Sequence, residues 1–121
     1  MATPAEHQAK ADRHLAFLAT ISDAFPEWLA TVAFYAAVEL IEKLLARHGH
    51  HSQSHFERKS ALKRHFPSAA LNRAYFDLYN ASLDARYLSV EQCPDVKDVR
   101  EVLIAKRLES IRQYVESHLD Q

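Results

Sequence analysis

Four of the chain's eight histidines fall within Arg47-His-Gly-His-His-Ser-Gln-Ser-His55. Neutral imidazoles ligate transition metals, so His48, His50, His51 and His55 form a possible metal-binding set. No acid or cysteine accompanies them, and a loop lacks the i, i+3 or i, i+4 spacing of bundle metal sites. The segment is therefore read first as a polar connector, with metal binding as the alternative and no cofactor expected.

Around the same segment the charge is lopsided. Between Lys43 and His65 stand Lys43, Arg47, Arg58, Lys59, Lys63 and Arg64 against the single acid Glu57. Such a field attracts phosphates, and a helix starting at Ser54 would add backbone N–H groups. Aromatic and basic residues also interleave along Arg73-Ala-Tyr-Phe-Asp-Leu-Tyr-Asn80 and Asp84-Ala-Arg-Tyr87. Tyrosine and arginine stack on bases, but aromatics at helical spacing usually serve the core, which leaves Arg86 and Tyr87 as the surface candidates of that stretch. The expected ligand-facing set is Arg47, His55, Arg58, Lys59, Arg86 and Tyr87.

The motifs of nucleotide hydrolases, serine hydrolases and zincins do not occur. Cys93 precedes Pro94 without a local activating group, so a nucleophilic role has little support. One cysteine excludes an intramolecular disulfide and suits a reducing compartment. With no apolar run near the ~20 residues a membrane span needs and no secretory signal pattern, the expected location is the cytoplasm.

The elements that must position these residues read as helices. The 121 residues are 48% hydrophobic and 26% charged with a net charge of −1, so they suit one globular domain, residues 1–121, without a global field for nucleic acid or membrane. One glycine leaves little material for hairpins, which argues against an all-β fold. Thr3-Pro4-Ala5-Glu6 caps a first helix carrying Leu15, Leu18, Ile21 and Phe25 on one stripe, with Phe17 alongside. Pro26 to His48 is the strongest helix, with Trp28, Leu29, Val32, Tyr35, Leu40 and Leu44 on or near one face, and Ala30, Ala33, Ala36 and Ala37 inviting close approach at the bundle centre or a dimer seam. Gly49 ends it. Ser54-His-Phe-Glu57 reads as a capping box for a short third helix to about His65. A fourth helix runs from Ser68 to Arg86, and Asp95 starts a long fifth. The predicted architecture is an all-α antiparallel up-and-down bundle of about five helices.

The stretch from Phe34 through the Arg47-His-Gly-His connector to His55, followed by Leu78-Tyr-Asn-Ala-Ser-Leu-Asp-Ala-Arg-Tyr87, resembles HEPN-domain proteins of bacteria and archaea, over about Trp28 to Leu119. The resemblance implies a helical bundle, homodimerisation, and work on RNA or nucleotides, often in toxin–antitoxin systems beside a nucleotidyltransferase partner. Active members are metal-independent ribonucleases with an Arg-x(4–6)-His motif, where a cation stabilises the transition state and an imidazole transfers protons. Two spacings here match, Arg58 with His65 and Arg112 with His118. Chance alone predicts about two such matches in a chain of this composition, and on a helix Arg112 and His118 project about 120° apart. Three functions follow: an RNA- or nucleotide-associated HEPN-like protein, foremost; a ribonuclease toxin; and a noncatalytic dimerising adaptor. Enzymatic activity is left open.

Overall fold

The computed structural model describes residues 1–120 and is all-α. Five helices form: α1 (Pro4–Leu18), α2 (Pro26–Arg47), α3 (His55–His65), α4 (Ala69–Tyr87) and α5, which runs without a break through Val96–Asp98, Val99–Leu108 and Glu109–His118. A short 3-10 turn, Val90–Gln92, links α4 to α5. No helix among the described residues is long and apolar enough to cross a membrane.

Local chemistry explains most boundaries. At Thr3 the capping box is complete: the hydroxyl accepts from the Glu6 N–H, and the Glu6 carboxylate accepts from the Thr3 N–H. The box expected at Ser54 is only half formed. Its hydroxyl accepts from Glu57 N–H, but the Glu57 carboxylate takes the N–H of Gln53, one residue earlier. Gly49, at φ 81°, ends α2. The Gly49 N–H bonds Ala46 O and the His50 N–H bonds Leu45 O, the double closure that satisfies carbonyls left over at a helix end.

α1 stops earlier than its apolar stripe suggests. After Leu18 the chain turns through Thr20, whose hydroxyl bonds Phe17 O, and Ser22, whose hydroxyl accepts from Ala24 N–H. Short polar side chains that bond nearby backbone compete with helix, so Phe25 becomes the residue before α2 and stays exposed instead of joining the buried stripe.

α2 lies at the centre, packed by α1, α4 and α5. Ala30, Ala33, Ala36 and Ala37 are fully buried inside the chain. They serve close approach within the bundle, the first of the two positions expected for them. Apolar residues surround α2 on nearly every side, and the neighbours decide which are covered: Leu29, Leu40 and Leu44 are buried, whereas Trp28 and Tyr35 are exposed.

α5 departs from a regular helix. Val99–Leu108 is π-helical, with i→i+5 bonding and a wider turn. The stripe Val99, Leu103, Leu108, Ile111, Val115 contains one five-residue step. In an α-helix that step would rotate Leu108 about 140° from Leu103; the wider turn keeps both buried.

Candidate functional site

α3, with its C-terminal turn, makes its buried apolar contact with the bundle through Leu62 and Phe66. Its other face is polar. His55, Lys59 and Lys63 recur every four residues and so share one side of the helix. Facing them, α4 presents Asn72, Arg73, Tyr75, Phe76 and Asp77, and the two helices enclose a cleft of about 520 Å³. Ser68 fixes the start of α4 by accepting from Leu71 N–H, while the Asn72 amide donates to Phe66 O and Ser68 O. This pins the turn that holds the walls apart.

The cleft is cationic with one aromatic plate. Lys59, Lys63 and Arg73 face a single acid, Asp77, which is held by Arg107 of α5 at 2.9 Å and more loosely by Arg73 at 3.8 Å. Lys59 and Lys63 have no carboxylate partner among the described residues. The Phe76 ring is half exposed, with the Lys59 Nζ 5.9 Å from its centroid.

Behind the cleft runs a buried polar relay. Glu42, on α2, accepts from Arg58 Nε at 2.7 Å and from the Ser52 hydroxyl. Arg58 Nη1 donates to the Tyr75 hydroxyl at 3.2 Å, and that hydroxyl lies 2.7 Å from His55 Nδ1. The His55 ring is stacked on Tyr79, with centroids 3.4 Å apart and planes within 6°. Burial works against the Arg58 charge, yet the Tyr75 hydroxyl and Glu42 outweigh it and raise the pKa. Burial also raises the Tyr75 phenol. His55 is shifted below the ordinary histidine value of 6.5, first by burial and then by Arg58 and Lys59. Its folded state thus binds the proton less readily than the unfolded chain: the associated stability is complete above 6.5 and is lost as pH falls toward the lower folded pKa.

Of the six residues expected to face ligand, only His55 and Lys59 line this cleft. Arg58 is turned inward, its side chain 12% exposed beside a Glu42 side chain 8% exposed. Arg47 pairs with Asp120 at 2.9 Å in solvent. Arg86 folds back onto Ser82 O and stacks against Tyr87, with its guanidinium 5.2 Å from the ring centroid. Ten residues beyond Phe76, it lies about 15 Å further along α4, so the Arg86–Tyr87 corner is not part of the cleft.

The members of the two Arg–His pairs each have other partners. Arg58 opens toward His51, Ser52 and Gln53, whereas His65 stacks on His50 at 3.8 Å in a separate cleft with Arg64 and Phe56. Arg112 reaches Glu109 at 3.4 Å; the His118 Nδ1 lies against Tyr114 O at 2.8 Å, with its ring stacked on Tyr114. The histidine set also disperses. His48 Nε2 meets His118 O at 3.0 Å, His50 stacks on His65, and His55 is engaged by Tyr75. Among the described residues no three His, Cys, Asp or Glu side chains are grouped to hold a metal. Cys93 is turned to the carbonyls of Ser89 and Asp84, and burial raises its pKa, the reverse of an activated thiol.

Lys63, Asn72, Arg73 and Phe76 were missed as cleft residues, although the four-residue repeat His55, Lys59, Lys63 is visible in the sequence. A second surface also emerges: Phe17, Phe25 and Trp28, each more than half exposed, line an apolar groove of about 430 Å³ at the α1–α2 corner with Thr20, Ile21 and Ser22.

Compared with known protein families, curated proteins and solved structures, the chain has no match.

Proposed function

We propose that the protein binds RNA or a nucleotide in the α3–α4 cleft. The observation that carries this is the coincidence, in one concavity, of two lysines lacking carboxylate partners, a half-exposed phenylalanine ring and a histidine. Cations that track phosphates beside an aromatic plate that stacks a base are the elements of single-strand recognition. The resemblance to HEPN proteins points the same way, and the nucleotidyltransferase partner it implies belongs to the same proposal. Binding is favoured over ribonuclease action because Arg58 and His65 line separate clefts, while Arg112 and His118 are engaged by Glu109 and Tyr114.

Fluorescence anisotropy with a labelled oligouridylate tests it. If Lys59, Lys63 and Arg73 each meet a phosphate, the plot of log affinity against log salt falls with a slope of about −2, at roughly 0.7 per contact for single strands. Binding that does not change with salt overturns the proposal.

A homodimer is proposed on a separate observation. With Ala30, Ala33, Ala36 and Ala37 enclosed, the exposed Phe17, Phe25 and Trp28 corner offers an apolar groove for a second copy, and a two-fold axis through it would set the cluster against itself. Sedimentation should show a dimer at micromolar concentration that Trp28→Glu converts to monomer. A monomeric wild-type protein under those conditions refutes it.

A further inference from the structure

The Tyr75 hydroxyl sits at the junction of the relay, in a residue only 2% exposed. Two groups lie within hydrogen-bond reach: Arg58 Nη1 and His55 Nδ1. A guanidinium donates and cannot accept. A buried phenolic proton needs an acceptor, and the one available is His55 Nδ1. That nitrogen therefore carries no proton, and the neutral ring holds its proton on Nε2. The ring cannot swing away, since it lies flat on Tyr79. Nε2 has no hydrogen-bond partner among the described residues and is not a buried unsatisfied atom, so it is accessible on a residue that lines the cleft.

The geometry points to His55 as the specificity-determining donor of the cleft: a neutral Nε2–H, oriented by Glu42, Arg58 and Tyr75, that bonds an acceptor oxygen of the bound RNA or nucleotide. This deepens the cleft-binding reading and rests on it. The lysines supply charge, which any polyanion satisfies. A fixed, uncharged donor on an inner wall discriminates by position, because a ligand that brings no acceptor there leaves the N–H unpaired. The nearest charges around the imidazole, Arg58 and Lys59, support the neutral form. Arg58 and Lys59 stand beside it on α3, Lys63 lies one turn further, Arg73 and Asp77 face it from α4, and Glu42 is spent on Arg58.

Two measurements test this. Long-range proton–nitrogen NMR at pH 7 should show His55 protonated on Nε2 alone, and Tyr75→Phe should release it into a mixture of tautomers. Protonation on Nδ1 in the wild type, or an unchanged tautomer in Tyr75→Phe, overturns the relay. In the anisotropy assay, His55→Gln places an amide N–H near the Nε2 position and should bind oligouridylate within about twofold of wild type. His55→Phe keeps the stack on Tyr79 without the donor and should bind about five- to tenfold more weakly. If His55→Phe binds like the wild type, His55 is not the donor. Charge reversal at Lys59 and Lys63 separates the two levels. Should it leave binding intact, the cleft itself is wrong; should it abolish binding while His55→Phe has no effect, only the role of His55 falls. An abasic oligomer of equal length locates the acceptor. A His55→Phe penalty that persists there supports a sugar or phosphate oxygen, and one that vanishes supports a base oxygen; the donor role holds in both cases.

Discussion

Arg58→Ala is expected to destabilise the fold by about 3–5 kcal/mol, the range for removing one member of a buried ion pair. The Glu42 carboxylate, 8% exposed, would keep the Ser52 hydroxyl but lose its only cation among the described residues, and the Tyr75 hydroxyl would lose a donor. A charge left in such surroundings costs more than the lost contact itself. Urea denaturation followed by circular dichroism reads the effect as a lowered midpoint. Lys63→Ala provides the contrast: its exposed side chain has no ion-pair partner among the described residues, so a change within about 0.5 kcal/mol is expected. The double replacement Glu42→Leu with Arg58→Met should recover most of the loss, because an apolar pair removes the desolvation penalty of both charges. An Arg58→Ala protein as stable as the wild type would mean that the relay does not hold the fold together.

Charge reversal in the cleft is expected to have the largest effect on binding. Lys59→Glu with Lys63→Glu changes the lining from three cations and one acid to one cation and three acids, a swing from +2 to −2. Loss of two phosphate contacts together with the new repulsion should weaken oligouridylate binding by at least about a hundredfold and remove about 1.4 from the salt slope. Arg47→Glu tests location. Arg47 belongs to the same cationic run in sequence but pairs with Asp120 away from the cleft, and its replacement should change affinity by about twofold or less. Equal losses from the two variants would show that binding follows bulk charge rather than this concavity. Thermal melts of both proteins exclude unfolding as the cause.

The contrast between Arg58, Lys59 and Lys63 shows where sequence reasoning reaches its limit. All three stand in one basic run, and by charge they are equivalent. On α3, Lys59 and Lys63 are four apart and share a side, whereas Arg58 is rotated by about 100° toward α2, where Glu42 waits. Nothing local marks Glu42 as buried, since an acid in an amphipathic helix is usually solvated. Its burial follows from α2 being surrounded on several sides. Likewise Phe76 and Tyr75 are adjacent aromatics on one helix; one forms the exposed plate and the other the core of the relay.

The helices and most of their ends, the C-terminus of α1 excepted, were legible because they depend on short-range physics: hydroxyl caps at Thr3 and Ser54, proline at the start of α2, a left-handed glycine at its end, and apolar repeats near 3.6 residues. The expected all-α class follows from those signals and holds. Which face of each helix meets water, which cations are neutralised, and which side chains share a cavity are properties of helices packed together. They depend on partners distant in sequence, such as Glu42 with Arg58 and Asp77 with Arg107, and the relay and the cleft take shape only when α2, α3, α4 and α5 meet.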